Sequence, residues 1–269
     1  MILHTSFFNY GFSAGSLVDI GRKRTSNQDE VIICPATGFY AVSDGMGGLL
    51  RGGETSQIIQ QALPEMINSA LSQWLKIPPP KHAAEILAEQ IRMLSDTIYN
   101  TGNNEYRSNY GATLSGVWLI GSHAIFVNLG DSRGYLLPKY KKKIRQITTD
   151  HSVAALMVQH GEITKEEARF HPASNSLTRF AGMNAPAMPD VFIREVQPGD
   201  RILLCSDGLH GMIDDIILPS IMRSSVNYAS VCERLVQKAN ANGGHDNISA
   251  VYIKILGAKT GDTTSMCFF

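Results

Sequence analysis

Nine apolar runs, many of them β-branched, recur between Ser16 and Ile255; they are too short for ordinary helices, and several are joined by short links. Ser16–Ile20, Val31–Cys34, Phe39–Ser43, Ala112–Ile120, Ala124–Leu129, Arg133–Leu137, Val191–Val196, Arg201–Cys205 and Ile248–Ile255 all read as strands, bounded by Gly, Asp, Asn or Ser. A further short strand is expected after the basic tip Lys139–Arg145. Links this short favour antiparallel pairing, because parallel neighbours need a long crossover. Glu54–Leu75 reads as a long helix with Ile58, Ile59, Ala62, Leu63, Met66, Ile67 and Leu71 on one side. Pro64 should kink or break it, and Pro78, Pro79 and Pro80 should end it. Ala83–Tyr99 is a second amphipathic helix, and Asp214–Met222 and Tyr228–Ala239 are helical. Ser152–His160 and Thr164–Phe170 are short helices joined by Gly161. The order of elements predicts an α+β layered domain.

With 269 residues, 43% hydrophobic and 18% charged, the chain can bury a large core, so global disorder is excluded. Lys plus Arg equals Asp plus Glu at 24 each, which gives no general reason to expect nucleic acid or an anionic membrane as partner. Lys139, Lys141, Lys142, Lys143 and Arg145 form a basic run around Tyr140, read as a solvated hairpin tip. The first fifteen residues lack the basic and apolar regions of a signal peptide, and no apolar stretch is long enough to span a bilayer. Cys34, Cys205, Cys232 and Cys267 show neither zinc nor disulfide spacing. Cys34 and Cys205 read as small core residues. A reducing, cytoplasmic setting fits best. Residues 259–269 read as a poorly ordered tail, though Cys267, Phe268 and Phe269 could dock.

Five aspartates share one context. Asp29, Asp44, Asp131, Asp207 and Asp246 each lie where an apolar run starts or stops, four of them beside glycine or one residue from it. Any one of these pairs is an ordinary turn when taken alone, and spacing does not show that the five converge. If they do converge, their mutual repulsion calls for cations. Oxygen-only ligands select hard ions such as Mg2+ or Mn2+. Gly45 beside Asp44 would let the backbone approach an ion and offer its carbonyl.

The ordered motifs Gly21-Arg22-Lys23-Arg24-Thr25-Ser26-Asn27-Gln28-Asp29, Asp44-Gly45-Met46-Gly47-Gly48, Gly111-Ala112-Thr113, Gly130-Asp131-Ser132-Arg133, Thr149-Asp150-His151-Ser152, Ser206-Asp207-Gly208-Leu209 and Gly244-His245-Asp246-Asn247 are spread over Gly21 to about Ile255, nearly the whole length of the chain. In this order and with these gaps, they resemble the metal-dependent protein phosphatases of the protein phosphatase 2C type in their bacterial form. The resemblance implies an αββα sandwich of two antiparallel sheets flanked by helices. It makes residues 1–258 a single catalytic domain, with a flap over about 153–190. It implies two or three Mn2+ or Mg2+ ions. Asp44 would bridge two of them, Asp207 and Asp246 would bind the first, and the Gly45 carbonyl the second. Asp29 would act through metal-bound water, Asp131 would hold a looser third ion, and Arg24 would grip the substrate phosphate.

The expected activity is hydrolysis of phosphoserine and phosphothreonine in proteins by a metal-bridging water, in opposition to a Hanks-type kinase and with the enzyme acting as a monomer. Paired cations lower the pKa of water and neutralise charge on the phosphoryl group, and Arg24 would add a bidentate clamp. The general acid stays open. Relatives place a histidine where this chain has Met46 or Leu49; a metal-bound water is the preferred substitute, and His210 and His245, neighbours of Asp207 and Asp246, are candidates left outside the catalytic set. The flap is either a selector of protein substrates or a structural connection. The alternative function is a non-catalytic regulatory module on the same fold, which should lack one or more of the aspartates. A phosphoesterase for small molecules or nucleic acid is a third reading.

Overall fold

The computed structural model describes residues 8–46, 51–72, 74, 76–105, 110–184, 186–224 and 228–258. Its elements in chain order are β1 (Tyr10–Asp19), β2 (Asp29–Cys34), β3 (Phe39–Asp44), α1 (Gly52–Ser72), α2 (Pro80–Glu105), β4 (Leu114–Ile120), β5 (His123–Leu129), β6 (Arg133–Leu137) and β7 (Arg145–Gln146). There follow α3 (Val153–Gln159), α4 (Lys165–Ala168), β8 (Asp190–Glu195), β9 (Arg201–Cys205), α5 (Asp207–His210), α6 (Leu218–Arg223), α7 (Tyr228–Ala241) and β10 (Ile248–Ala258). The strands form two five-stranded sheets, ordered β1-β10-β9-β6-β7 and β2-β3-β4-β5-β8. Every pairing between these strands is antiparallel. The αββα architecture expected from the sequence is what the chain adopts.

Period-two geometry explains why the central strands read as continuous apolar runs. Successive side chains point to opposite faces, and here both faces are covered. Tyr40, Val42, Val117, Leu119 and Phe126 of one sheet meet Ile202, Leu204, Val251 and Ile253 of the other in the middle layer. The alternate residues Phe39, Ala41, Trp118, Ile125 and Val127 pack under α1 and α2. Leu203, Cys205, Ala250 and Tyr252 pack under α5, α6 and α7. In α1, Ile59, Leu63, Ile67 and Leu71 recur every fourth residue and are fully or almost fully buried.

Some boundaries differ from the sequence reading. Pro64 sits inside α1 without breaking it, because the apolar stripe on either side is held by the sheet. β1 starts six residues before the expected Ser16, since its pairing with β10 runs from Tyr10↔Ala258 to Asp19↔Ile248. The segment expected as one helix from Asp214 to Met222 is a turn followed by α6. α5 was not foreseen. Cys34 is only half-buried at the end of the edge strand β2, while Cys205 is in the core. Among the described residues, no helix is long and apolar enough to cross a membrane. The tail 259–269, with Cys267, Phe268 and Phe269, lies outside the described residues, as do Gly47, Gly48 and Leu49.

Candidate metal centre

Antiparallel pairing brings the aspartates to one end of both sheets. Asp29 opens β2, Asp44 closes β3, and the two are register partners. Cys205 at the end of β9 pairs with Arg133 at the start of β6 and with Ala250 near the start of β10. Asp131, Asp207 and Asp246 therefore leave those strands on the same side. Asp44 lies within electrostatic reach of the other four, namely Asp29, Asp207, Asp131 and Asp246. All five residues singled out from the sequence are thus gathered.

Burial makes this gathering costly. Burial, opposed by the Ser206 and Ser249 hydroxyls and helped by the charge of Asp207, pushes the Asp29 carboxyl up to about 7. Burial and then the charge of Asp246 raise Asp207 to about 6. Asp44 and Asp131 are likewise raised well above the usual carboxylate range, chiefly by burial and then by their acidic neighbours. Both Asp29 oxygens and Asp207 Oδ1 are buried with no hydrogen-bond partner at good geometry among the described residues. Buried carboxylate oxygens with so few well-placed donors, packed against other carboxylates, fit a hard divalent cation. Among the described residues, no three His, Cys, Asp or Glu side chains stand close enough to form a completed metal cage. Asp246 is held by a cation of the chain itself, the Arg24 guanidinium at 2.7 Å. The Arg24 side chain is 45% exposed, so it stands at the mouth of the acidic cluster.

The backbone around the cluster is fixed by residues to which the sequence reading gave no role. Thr113 Oγ1 accepts the Asp44 N–H at 3.1 Å and meets the Ser132 hydroxyl at 2.7 Å, linking the two sheets beside Asp44 and Asp131. The Asn247 side chain accepts from the Gln28 N–H and donates to the carbonyls of Ile20 and Ser26. It thereby holds the Arg24 loop against Asp246. Both residues stand in the quoted motifs, and that is the one signal by which they could have been found. Asp150 is paired with Arg133 through two near-parallel contacts of 2.9 and 2.6 Å.

Gly45 was expected to be glycine so that backbone could approach an ion. In the structure, a Cβ there would sit 2.4 Å from the backbone of Gly52, so it is first required by the close passage of the α1 N-terminus. His210 is buried and its pKa is pushed down to about 3 by burial and by Arg133, so the ring is neutral. Its Nε2–H donates to the Asp131 carbonyl at 3.0 Å, which commits it to the backbone. His245 is exposed.

Residues 21–251 match the protein phosphatase 2C family. The serine/threonine phosphatase Stp of Listeria welshimeri is 33% identical over 243 residues, covering 88% of this chain and 93% of its own. The crystal structure of the serine/threonine phosphatase Stp1 from Staphylococcus aureus superposes with a TM-score of 0.82 at 26% identity, covering 94% of this chain and 98% of that one. The catalytic domain of the serine/threonine protein phosphatase PstP in complex with two manganese ions gives a TM-score of 0.74 at 28% identity, covering 91% and 98%. Sequence motifs, a double sheet with its carboxylates at one edge and these likenesses agree: the chain belongs to the protein phosphatase 2C family.

Proposed function

We infer that this chain, a metal-dependent protein serine/threonine phosphatase by family, holds two or three Mn2+ or Mg2+ ions with Asp29, Asp44, Asp131, Asp207, Asp246 and the Gly45 carbonyl. The observation that carries this reading is the convergence of five aspartates around Asp44 with buried oxygens that lack donors. Divalent cations held there supply acidification of water and neutralisation of charge on phosphoryl oxygens. Asp44, central to the cluster, is the residue on which the chemistry depends most. Arg24, half-exposed beside Asp246, would orient the phosphate by paired N–H donors. Thr113 and Asn247 keep these groups in place through the backbone. No described histidine is free to protonate the leaving alkoxide from inside the cluster, since His210 is committed to Asp131 and His245 faces outward. A proton from water is therefore the source we assign.

The substrates are phosphoserine and phosphothreonine in proteins, with a cognate serine/threonine kinase as antagonist. The enzyme acts as a monomeric single domain, with 153–190 as the flap, in the cytoplasm. The free thiols of Cys34, Cys205 and Cys232 support a reducing setting. The test is hydrolysis of a phosphothreonine peptide with Mn2+, with and without chelator. Turnover that is lost on chelation and restored by Mn2+ is expected. Absent turnover, or turnover indifferent to chelator, overturns the reading and favours the non-catalytic alternative or metal-free chemistry respectively.

A further inference from the structure

Asp131 follows a glycine in a conformation that other residues rarely adopt. Gly130 has φ +101, and a Cβ there would meet Thr113 Cγ2 at 2.6 Å. Such a peptide keeps its geometry only if its donor and acceptor are held. Both are held by one residue, His151, which is 3% exposed. The Gly130 N–H donates to His151 Nδ1 at 3.2 Å, and the His151 N–H donates to the Gly130 carbonyl at 2.9 Å. Asn128 Nδ2 donates to the same carbonyl at 2.9 Å.

The first of these bonds fixes the tautomer. Nδ1 must present its lone pair, so the ring proton resides on Nε2. Nε2–H points to Asp190 Oδ2 at 3.1 Å. The other oxygen of Asp190 accepts from Arg179 NH1 at 2.8 Å, and Arg179 also donates to the Met188 carbonyl. The His151 carbonyl accepts from the Thr178 N–H at 2.8 Å. Arg179, Thr178 and Met188 belong to the 153–190 segment, and Asp190 is its last residue. All the polar groups of His151 are thereby divided between that segment and the Asp131 loop.

We propose that His151 is a positioning residue that ties the flap to Asp131: the flap holds the imidazole through Asp190 and Arg179, and the imidazole holds the Gly130 peptide that presents the Asp131 carboxylate. The claim that this affects an ion rests on the reading of Asp131 as a ligand, whereas the clamp itself does not. The groups that hold the imidazole lie in the later part of the segment, which Ala181 and Asp190 fix to the sheet, so the clamp braces the Asp131 loop against that sheet.

The experiment compares wild type, Asp190→Ala, Asp190→Asn, Arg179→Gln and Asp131→Asn. It reads Gly130 amide exchange and His151 ring-nitrogen shifts by NMR in metal-free protein, and Mn2+ binding by calorimetry. Wild-type nitrogen shifts should show a proton on Nε2 and a bare Nδ1. Asp190→Ala should mix the tautomers and speed Gly130 exchange about fivefold or more, the loss of roughly one net hydrogen bond. It should weaken the Mn2+ site that Asp131→Asn removes by about tenfold, the scale expected for an outer partner of a ligand. Arg179→Gln should do the same to a smaller extent. Asp190→Asn keeps an acceptor for Nε2–H and should restore most of both effects. Gly130 exchange within about twofold of wild type in Asp190→Ala overturns the clamp. If Gly130 exchange quickens but Asp131→Asn leaves the Mn2+ titration unchanged, the ligand reading of Asp131 falls and the link to the ion falls with it.

Discussion

Asp207 shows how a single side chain carries conflicting demands. It is enclosed with other carboxylates, one of its oxygens has no donor among the described residues, and burial holds its carboxyl near 6. Such a group is poor for stability and useful for holding a cation. Asp44→Ala and Asp207→Ala should each lower kcat on a phosphothreonine peptide by more than the roughly 10–100-fold that loss of a supporting residue causes. Melting temperatures of the metal-free variants should be equal to or above wild type, because a repulsive neighbour has gone. A variant with near-normal rate would contradict the assignment. Asp190 behaves in the opposite way, its carboxyl held down at about 2 by the His151 hydrogen bond and then by Arg179. Its folded pKa lies below the unfolded 3.8, so the unfolded chain takes up the proton first. Its contribution is therefore present above pH 3.8 and is lost as pH falls towards 2. Acid unfolding followed by circular dichroism should show wild type losing more stability across that window than Asp190→Asn. The five aspartates were legible as residues from their places at strand ends. Their convergence was not, because it depends on strand pairing within each sheet and on the packing of one sheet against the other, which gather residues as distant as Asp29 and Asp246. The roles of His151, Asn247 and Thr113 were not legible either, since each acts through backbone groups that sequence does not show.

At the scale of elements, period explains what could be read and what could not. The strands were clear because two covered faces make continuous apolar runs, and the long helices were clear from the stripe that includes Ile59, Leu63 and Ile67. Pro64 illustrates the limit. The missing N–H is a local cost, and packing of the whole stripe against the sheet exceeds it. Leu63 is 0% exposed, so Leu63→Ala should destabilise by about 2–5 kcal/mol in urea unfolding. An effect below about 1 kcal/mol would show that α1 is not held by that stripe. α5 is only four residues long and carries Asp207 of the acidic cluster and the buried His210. A segment that short has no period to detect, and its geometry comes from the turn after β9. The flap is anchored at its later half, where Ala181 bridges to Ala112 and the Gly182 N–H donates to Ser95 Oγ at 2.9 Å. Its earlier half, α3 and α4, carries exposed groups such as Phe170 at 86%.

For the molecule as a whole, two sheets packed face to face put the ends of strands from both layers at a single edge, and that edge is where charge has been concentrated. Its formal net charge is +0, so the acidity of that edge is a local property of topology rather than of composition. The sandwich supplies the rigidity that keeps like charges together when their repulsion would separate them. Cations bound there would relieve that repulsion and supply the proposed chemistry, so on this reading binding and catalysis are two consequences of one arrangement. The most direct test is anomalous scattering from crystals grown with Mn2+. Manganese density enclosed by Asp44, Asp207 and Asp246, and absent from crystals of the Asp44→Asn protein, is the predicted result. Manganese confined to other surfaces while these carboxylates keep company only with Arg24 and one another would contradict it.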